Sequence, residues 1–226
     1  MPLSALLDVI LPPSCAACGV PGPAACTACL EALEPLPPPW CGGCGAPVPV
    51  PVARCGACRG RIDGGRQAVA YRGPAPALIA ALKDDRRRTL AAGLAAVVTA
   101  AVPPPPRDAA LVPVPLAPRR ARERGFNQSL LIARALGERW GIPVAEALVR
   151  TREGPPQRGA ARTERARQAS GAFAAGGPDP VPRVAWIVDD VLTTGATLAD
   201  CARALRAGGA ERVGAVCVAR VLPGPG

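Results

Sequence analysis

The fold of this 226-residue chain is decided by one stretch, Val184-Ala-Trp-Ile-Val-Asp-Asp-Val-Leu-Thr-Thr-Gly-Ala-Thr197. Its first residues, Val184 to Val188, predict a buried parallel strand, because strands covered on both faces are almost continuously apolar. Asp189 and Asp190 follow at the carboxyl end of that strand, where ligands bind in an open α/β sheet. The stretch therefore predicts an α/β domain with a ligand site at this strand end.

The residues after the acidic pair form a small-residue turn that opens the next helix: Thr193, Thr194, Gly195, Ala196 and Thr197. Such a turn offers backbone N–H groups and the positive end of a helix dipole to a phosphate. Two adjacent acids suit the hydroxyls of a ribose, or a magnesium ion that bridges to them. The alternative is a plain strand–turn–helix with a threonine N-cap, which requires neither two acids nor three threonines. The stretch thus favours a sugar-phosphate site.

Upstream, apolar strand patterns alternate with helix patterns from Gln67 to Arg220. This alternation predicts a parallel sheet with helices on both faces. Asn127 is predicted to cap a helix that runs to Gly141. The segment before that cap is interpreted as a basic loop, and it holds Arg119, Arg120, Arg122 and Arg124.

Eight of the ten cysteines form four C-x-x-C pairs near the start of the chain: Cys15 and Cys18, Cys26 and Cys29, Cys41 and Cys44, Cys55 and Cys58. Two such pairs complete a tetrahedral shell of four thiolates. The chain has no histidine, so each site must be all-thiolate, which favours structural zinc. An iron–sulfur cluster is the alternative, but four evenly paired C-x-x-C motifs match zinc ribbons more closely. We assign the C-x-x-C pairs, or knuckles, to the ions in sequence order. The first and second pairs bind one ion, and the third and fourth pairs bind the other. An interleaved pairing, first with third and second with fourth, stays open.

Charge and composition divide the chain into two parts. Residues 1–64 are dense in cysteine, proline and glycine, and the whole net charge of +10 lies beyond residue 66. We therefore predict a metal-stabilised ribbon region over 1–64 and the α/β domain over 65–226. The basic surplus suits phosphate-rich ligands or nucleic acid. No stretch approaches the roughly 18–20 apolar residues of a membrane span, and no basic export signal precedes the cysteines, so we expect a cytoplasmic protein.

Several short motifs, in this order and spacing, resemble the ComF family. These are phosphoribosyltransferase-like proteins named for genetic competence, with an N-terminal double zinc ribbon. Besides the cysteine pairs and the opening stretch, the motifs are Leu82-Lys83, Val112-Pro-Val-Pro115, Arg124-Gly-Phe-Asn-Gln128, Arg150-Thr151-Arg152, Gln157 and Ala172-Phe173.

The resemblance implies a type I phosphoribosyltransferase-like parallel sheet with flanking helices, preceded by a small zinc-ribbon module with four cysteines per ion. Thr193 to Thr197 would hold a 5-phosphate, and Asp189 and Asp190 would be the catalytic pair on the ribose hydroxyls. Arg119 and Arg124 would lie near pyrophosphate, and a flap with Arg152 and Gln157 would cover the reaction centre. The implied cofactors are two structural zinc ions, and magnesium bound with phosphoribosyl pyrophosphate.

Two functions are consistent with the sequence. The first is an enzyme that transfers the phosphoribosyl group to an unknown acceptor. The second is a non-catalytic accessory factor in DNA uptake, which binds single-stranded DNA and a competence helicase, as the resemblance implies. Aromatic residues make up only 3% of the chain, which leaves few stacking platforms for single-stranded bases. The phosphoribosyltransferase is therefore the leading hypothesis.

Overall fold

The computed structural model describes residues 13–56, 58, 61–84, 87–151 and 171–222. Its helices are α1 (Thr27–Glu31), α2 (Ala75–Asp84), α3 (Leu90–Ala101), α4 (Pro118–Arg124), α5 (Gln128–Trp140) and α6 (Ala196–Ala207). Its strands are β1 (Gly64–Ala70), β2 (Ala110–Pro113), β3 (Leu148–Arg150), β4 (Phe173–Ala175), β5 (Val184–Leu192) and β6 (Arg212–Arg220). None of these helices is long and apolar enough to cross a membrane.

Four strands form one parallel sheet in the order β1-β6-β5-β2. In its register Gly64 pairs with Gly214, and Val184 pairs with Arg212. The central strand β6 is buried from its second to its eighth residue, as expected of a parallel strand with both faces covered. The parallel α/β sheet predicted from the sequence is confirmed.

Successive residues of the central strands point into two different apolar cores. Val216 of β6 lies in one core with Leu94 of α3 and Ile132 of α5. Cys217, the next residue, lies in the other core with Leu205 of α6. Because strand side chains alternate between faces, helices pack on both sides of the sheet, as predicted.

The basic segment before Asn127 is a helix, and its prediction as a loop was wrong. α4 begins with Pro118 in its first turn, and Gly125 ends it with φ 69°. Proline is tolerated in a first helical turn because its missing N–H needs no partner there, and glycine adopts the left-handed conformation of a C-terminal cap at little cost. These two residues are the local helix signals that the arginine-rich composition obscured.

The strand that carries the acidic pair is longer than predicted. β5 continues to Leu192, so Asp189 and Asp190 belong to its last residues instead of following its end at Val188. Asp189 still pairs with Cys217 of β6. The extra strand residues keep the backbone of both acids in the sheet, which fixes the direction of their side chains.

Both edges of the sheet are covered by neighbouring chain. Residues 34–36, which connect the two cysteine clusters, run antiparallel to β1, with a bridge between Pro35 and Val69. At the other edge, Leu111 of β2 forms a parallel bridge with Val144. Covered edges protect a sheet against pairing with a second chain.

A chain division at residue 64 stays a prediction. β1 begins at Gly64, so the proposed boundary between 1–64 and 65–226 falls at the start of the first strand of the sheet. The strand thus joins the cysteine-rich region directly to the parallel sheet.

Candidate functional site

A cavity of about 610 Å³ opens at the carboxyl ends of β2 and β5. Polar and charged side chains dominate its lining. The lining residues are Lys83, Val114, Pro115, Leu116, Arg120, Glu123, Arg124, Gln128, Ser129, Arg150, Asp189, Asp190, Val191, Thr193 and Thr197. The predicted acidic pair and both ends of the predicted phosphate loop thus face one cavity.

The acidic pair is held by partners from two helices. Asp190 is almost fully buried, and its Oδ2 lies 2.7 Å from Lys83 Nζ of α2. The same oxygen accepts a 3.3 Å hydrogen bond from Gln128 Nε2 of α5. Asp189 Oδ1 accepts hydrogen bonds from Ser129 Oγ at 3.2 Å and from the Asp190 backbone N–H at 2.9 Å. Both carboxylates are therefore fixed in orientation before any ligand binds.

The surroundings of Asp189 raise the pKa of its carboxyl group. Burial raises the pKa of Asp189 to about 7, and repulsion from Asp190 adds to the rise. Lys83 and the hydrogen bond from Ser129 oppose it. Because this pKa lies near neutral pH, a cation that binds at Asp189 can displace its proton.

The predicted phosphate loop begins helix α6. Gly195 has φ 77° and precedes the first helical residue, Ala196. Thr193 and Thr197 line the cavity, and the Thr194 Oγ1 accepts a 3.4 Å hydrogen bond from the Ala196 N–H. A twelve-residue helix that starts at a polar cavity presents its first N–H groups and its positive dipole end to a bound anion.

Three arginines also line the cavity. Arg120 and Arg124 come from α4, and Arg150 comes from the end of β3. Burial lowers the pKa of Arg150, and repulsion from Arg120, which lines the same cavity, lowers it further. Neighbouring guanidinium groups of this kind suit a polyanion such as pyrophosphate.

The other predicted pyrophosphate and flap residues are placed differently. Arg119 is on α4 outside the cavity lining, and its Nε donates a 2.7 Å hydrogen bond to Glu123 Oε1. Arg152 and Gln157 lie outside the described residues. Arg124 Nη1 donates to Gln128 Oε1 at 3.1 Å, so this arginine reaches the acidic pair through a side-chain amide.

The motif Gly125-Phe-Asn-Gln128 has a physical explanation in the site. Gly125 ends α4, and Phe126 lies under the Arg88 guanidinium, 4.8 Å from its ring centroid. Asn127 Oδ1 accepts from the Ser129 N–H at 3.0 Å and caps α5, as predicted, while its Nδ2 donates to Val114 O. The cap thereby ties the start of α5 to the end of β2 and delivers Gln128 and Ser129 to the acids.

Five lining residues were not singled out individually from the sequence: Lys83, Gln128 and Ser129, together with Arg120 and Arg150, which were predicted only as members of the arginine cluster and of the flap. Four of them belong to or adjoin motifs that carried the family resemblance, and this was the available signal. Their roles depend on elements far apart in the chain that meet only in the folded sheet. Spacing along the sequence therefore gave no direct indication of them.

The cysteines gather into two groups, one of Cys15, Cys18, Cys26 and Cys29, and the other of Cys41, Cys44, Cys55 and Cys58. Within each group the sulfur atoms all lie within 4.8 Å of one another. Four thiolates at this separation fit one tetrahedral zinc ion. The grouping follows the sequential pairing, so both four-cysteine sites fit zinc binding.

The two clusters share one backbone pattern. In the first, the Cys26 N–H donates to Cys15 Sγ at 3.5 Å, and in the second the Cys55 N–H donates to Cys41 Sγ at 3.1 Å. The Cys26 N–H contributes most to lowering the pKa of Cys15 to about 6. Burial raises the pKa of Cys41, but N–H donors outweigh it and bring the value to about 6. A stabilised thiolate favours metal binding, because the ligand must be deprotonated.

The second cluster is bonded directly to the parallel sheet. The Cys44 carbonyl accepts hydrogen bonds from Gln67 Nε2 of β1 at 3.0 Å and from Arg220 Nη1 of β6 at 3.3 Å. A Cβ atom on Gly65 would come within 2.9 Å of the Cys44 backbone, so β1 and the knuckle are in backbone contact. The second ribbon is thus part of the sheet's support.

Comparison with known proteins gives the same organisation. Residues 6–59 match the double zinc ribbon domain, and residues 127–224 match the phosphoribosyl transferase domain. The fold and the site therefore define a phosphoribosyltransferase-type domain joined to a double zinc ribbon.

Curated relatives are similar over part of their length. DNA utilization protein YhgH of Escherichia coli (strain K12) is 39% identical over 116 residues, which are 50% of this chain and 49% of that protein. Competence protein F of Haemophilus influenzae is 36% identical over 108 residues, 46% of this chain and 47% of that protein. The chain spans about half the length of the curated relatives it matches. These similarities confirm the resemblance found in the sequence motifs.

Proposed function

We propose that the cavity binds phosphoribosyl pyrophosphate with magnesium and transfers the phosphoribosyl group to an acceptor. One observation carries the proposal: three groups of residues line the same cavity. They are the acidic pair, the phosphate loop that starts at Thr193, and the arginines Arg120, Arg124 and Arg150. A sugar, a terminal phosphate and a pyrophosphate are the three parts of this ligand, and each has a matching surface.

The ligand would bind with its 5-phosphate at the Thr193–Thr197 loop, where N–H donors and the helix dipole hold the charge. Asp189 and Asp190 would accept hydrogen bonds from the ribose hydroxyls. Arg120, Arg124 and Arg150 would bind the pyrophosphate. The acceptor's nucleophile forms a bond to the anomeric carbon, the bond from that carbon to pyrophosphate oxygen breaks, and pyrophosphate leaves with the electron pair.

Catalysis in this scheme comes from positioning and from charge stabilisation of the leaving group. Lys83 and Ser129 hold the two carboxylates in place, so the sugar meets preoriented acceptors. The three arginines of the cavity stabilise the negative charge that develops on the leaving pyrophosphate. We assign no general base among the described residues.

Magnesium fits the donor set at this site. Asp189 and Asp190 provide hard carboxylate oxygens, and Mg²⁺ is usually held by one or two carboxylates together with substrate phosphates and water. When bound, it would neutralise part of the pyrophosphate charge. The two aspartates are the residues that would hold it.

Calorimetric titration with phosphoribosyl pyrophosphate and magnesium tests this proposal. We expect saturable binding by the wild type and at least about 30-fold weaker binding by Asp189→Asn/Asp190→Asn, because about 2 kcal/mol of contacts to the ribose and metal is lost. Asp108→Asn/Glu211→Gln is the matched control, since it makes the same change in charge at exposed partners of Arg183. The control should bind like the wild type. Absence of heat and of a thermal shift with the wild type would refute the proposal.

Binding of single-stranded DNA is a second candidate function, and the arginine helix α4 favours it. Arg119 and Arg122 are exposed, and no residue of α4 is buried. Two relatives carry the names DNA utilization protein and Competence protein F. In this proposal the chain is an accessory factor in DNA uptake, acting in the cytoplasm with a helicase partner.

A salt series with single-stranded DNA tests the second candidate. We expect affinity to fall steeply with salt, and Arg119→Gln/Arg122→Gln to reduce the log–log slope by about 1.4, because each phosphate contact contributes about 0.7. Arg183→Gln/Arg212→Gln removes two exposed arginines at the opposite end of the sheet and should leave the slope unchanged. Equal slopes for all three proteins would exclude α4 as the DNA contact.

A further inference from the structure

Helix α6 carries a buried carboxylate that neither proposed function uses. Asp200 is 5% exposed. Its Oδ1 accepts a 2.8 Å hydrogen bond from the Gly171 N–H, and its Oδ2 accepts from the N–H groups of Ala172 at 2.7 Å and Phe173 at 3.1 Å. One side chain therefore binds three consecutive backbone donors at the start of β4.

Arg203, one helical turn later, completes this cluster. Its Nε and Nη2 donate to Asp200 Oδ1 at 3.0 and 2.8 Å, and its Nη2 also donates to Phe173 O at 3.2 Å. Burial raises the pKa of Asp200, but the donors from Gly171, Arg203 and Ala172 outweigh it, so the net shift is downward. The carboxylate stays ionised, and its hydrogen bonds are of the strong, charge-assisted kind.

The strand fixed in this way, β4, pairs with the strand that carries Arg150. β4 pairs antiparallel with β3, and Phe173 lies opposite Arg150. The Arg150 guanidinium is 5.3 Å from the centroid of the Phe173 ring and lines the cavity. A continuous set of contacts thus runs from Asp200 through Phe173 to Arg150.

The same end of α6 begins at the phosphate loop, Thr193–Thr197, and Asp200 lies about one turn after it. One helix therefore positions the phosphate loop at its first turn and, through Asp200, the residues at the start of β4. An apolar contact would pack these elements together but would tolerate sliding, whereas three directional hydrogen bonds to one carboxylate fix the register. Groups that bind two ends of one ligand need this kind of support.

We propose that Asp200 is a positioning residue that sets the distance between Arg150 and the phosphate loop. The inference rests on the proposed function, because it assigns Arg150 to the pyrophosphate and the loop to the 5-phosphate. Asp200 itself touches neither group of the ligand. It acts through Phe173 and Arg150, with Arg203 as its partner.

The test uses two partial ligands, magnesium pyrophosphate and ribose 5-phosphate, titrated separately into the full chain. For Asp200→Asn we expect about tenfold weaker binding of magnesium pyrophosphate and less than a twofold change for ribose 5-phosphate. Arg203→Gln replaces a half-exposed side chain and should give a smaller loss in the same direction, which covers the case in which Asp200→Asn folds poorly. On an Arg150→Ala background, Asp200→Asn should cause no further weakening.

Asp63→Asn is the control for a purely structural effect. Asp63 also accepts a backbone N–H, from Val213 at 2.9 Å, and binds an arginine, Arg206 at 2.8 Å, but it lies away from the cavity lining. This variant should lower the melting temperature and leave binding of both ligands unchanged.

Two results would overturn the positioning role: equal weakening of both ligands by Asp200→Asn, or an undiminished loss on the Arg150→Ala background. A wild type that binds neither ligand would overturn the proposed function as well, so the two failures are distinguishable.

Discussion

Replacing Cys41 and Cys44 with serine is expected to lower the free energy of unfolding of the chain by more than about 4 kcal/mol, an unusually large effect of the kind that loss of a structural metal produces. The second ribbon has little apolar core of its own, so its folding depends on zinc. Its Cys44 carbonyl is bonded to both β1 and β6. Loss of the metal should therefore also loosen the sheet at that edge.

The matched variant is Cys15→Ser/Cys18→Ser in the first ribbon. This ribbon packs small apolar residues and Leu30 against the core beside α3, and Arg87 Nη1 donates a 2.6 Å hydrogen bond to Ser14 O. Because these contacts reach α3 and Arg87 instead of the strands β1 and β6, we expect loss of this ribbon to cost less than loss of the second, about 2 kcal/mol. Metal analysis should find about two zinc ions in the wild type and about one in each variant. Equal denaturant midpoints for the two variants would contradict the unequal roles of the ribbons.

Replacing Lys83 with methionine is expected to cost about 3 kcal/mol of stability, because it leaves the Asp190 charge buried without its cation. The Asp190 side chain is 6% exposed, and Lys83 Nζ is 2.7 Å away. Methionine keeps a similar unbranched side chain, so the change removes charge more than volume. Denaturant unfolding measures the loss.

A double variant separates the charge from the packing. Lys83→Met/Asp190→Asn removes both charges of the pair and should recover most of the lost stability. Arg134→Met breaks an exposed pair with Glu146 and should change stability by less than about 0.5 kcal/mol. If the double variant were less stable than Lys83→Met alone, the ion pair would not be the cause.

Features fixed by local sequence were predictable in this chain. The C-x-x-C pairs predicted the two thiolate clusters, and the Val184–Thr197 stretch predicted a strand that leads through a turn into a helix. The cap at Asn127 was also correct, because a capping side chain bonds a backbone N–H only two residues away. In each case the chemistry lies within a few residues.

Features that depend on the order of strands in space were not predictable. Lys83 contacts Asp190 only because the strand order places β5 between β6 and β2. Asp200 contacts Gly171 only because α6 packs beside β3 and β4. The arginine helix α4 was missed for another reason. Its composition indicated a solvated loop, and only Pro118 and Gly125 marked its ends.

The pairing of β1 with β6 has a consequence for synthesis of the chain. Gly64 can pair with Gly214 only after β6 has been synthesised. Both cysteine clusters and most of the helices therefore leave the ribosome before β1 can pair with β6. Contacts between such distant residues slow folding. The ribbons can take up metal during this delay, because each cluster is complete within a short segment. Synthesis of β6 is therefore the step that allows the cysteine-rich region to join the parallel sheet.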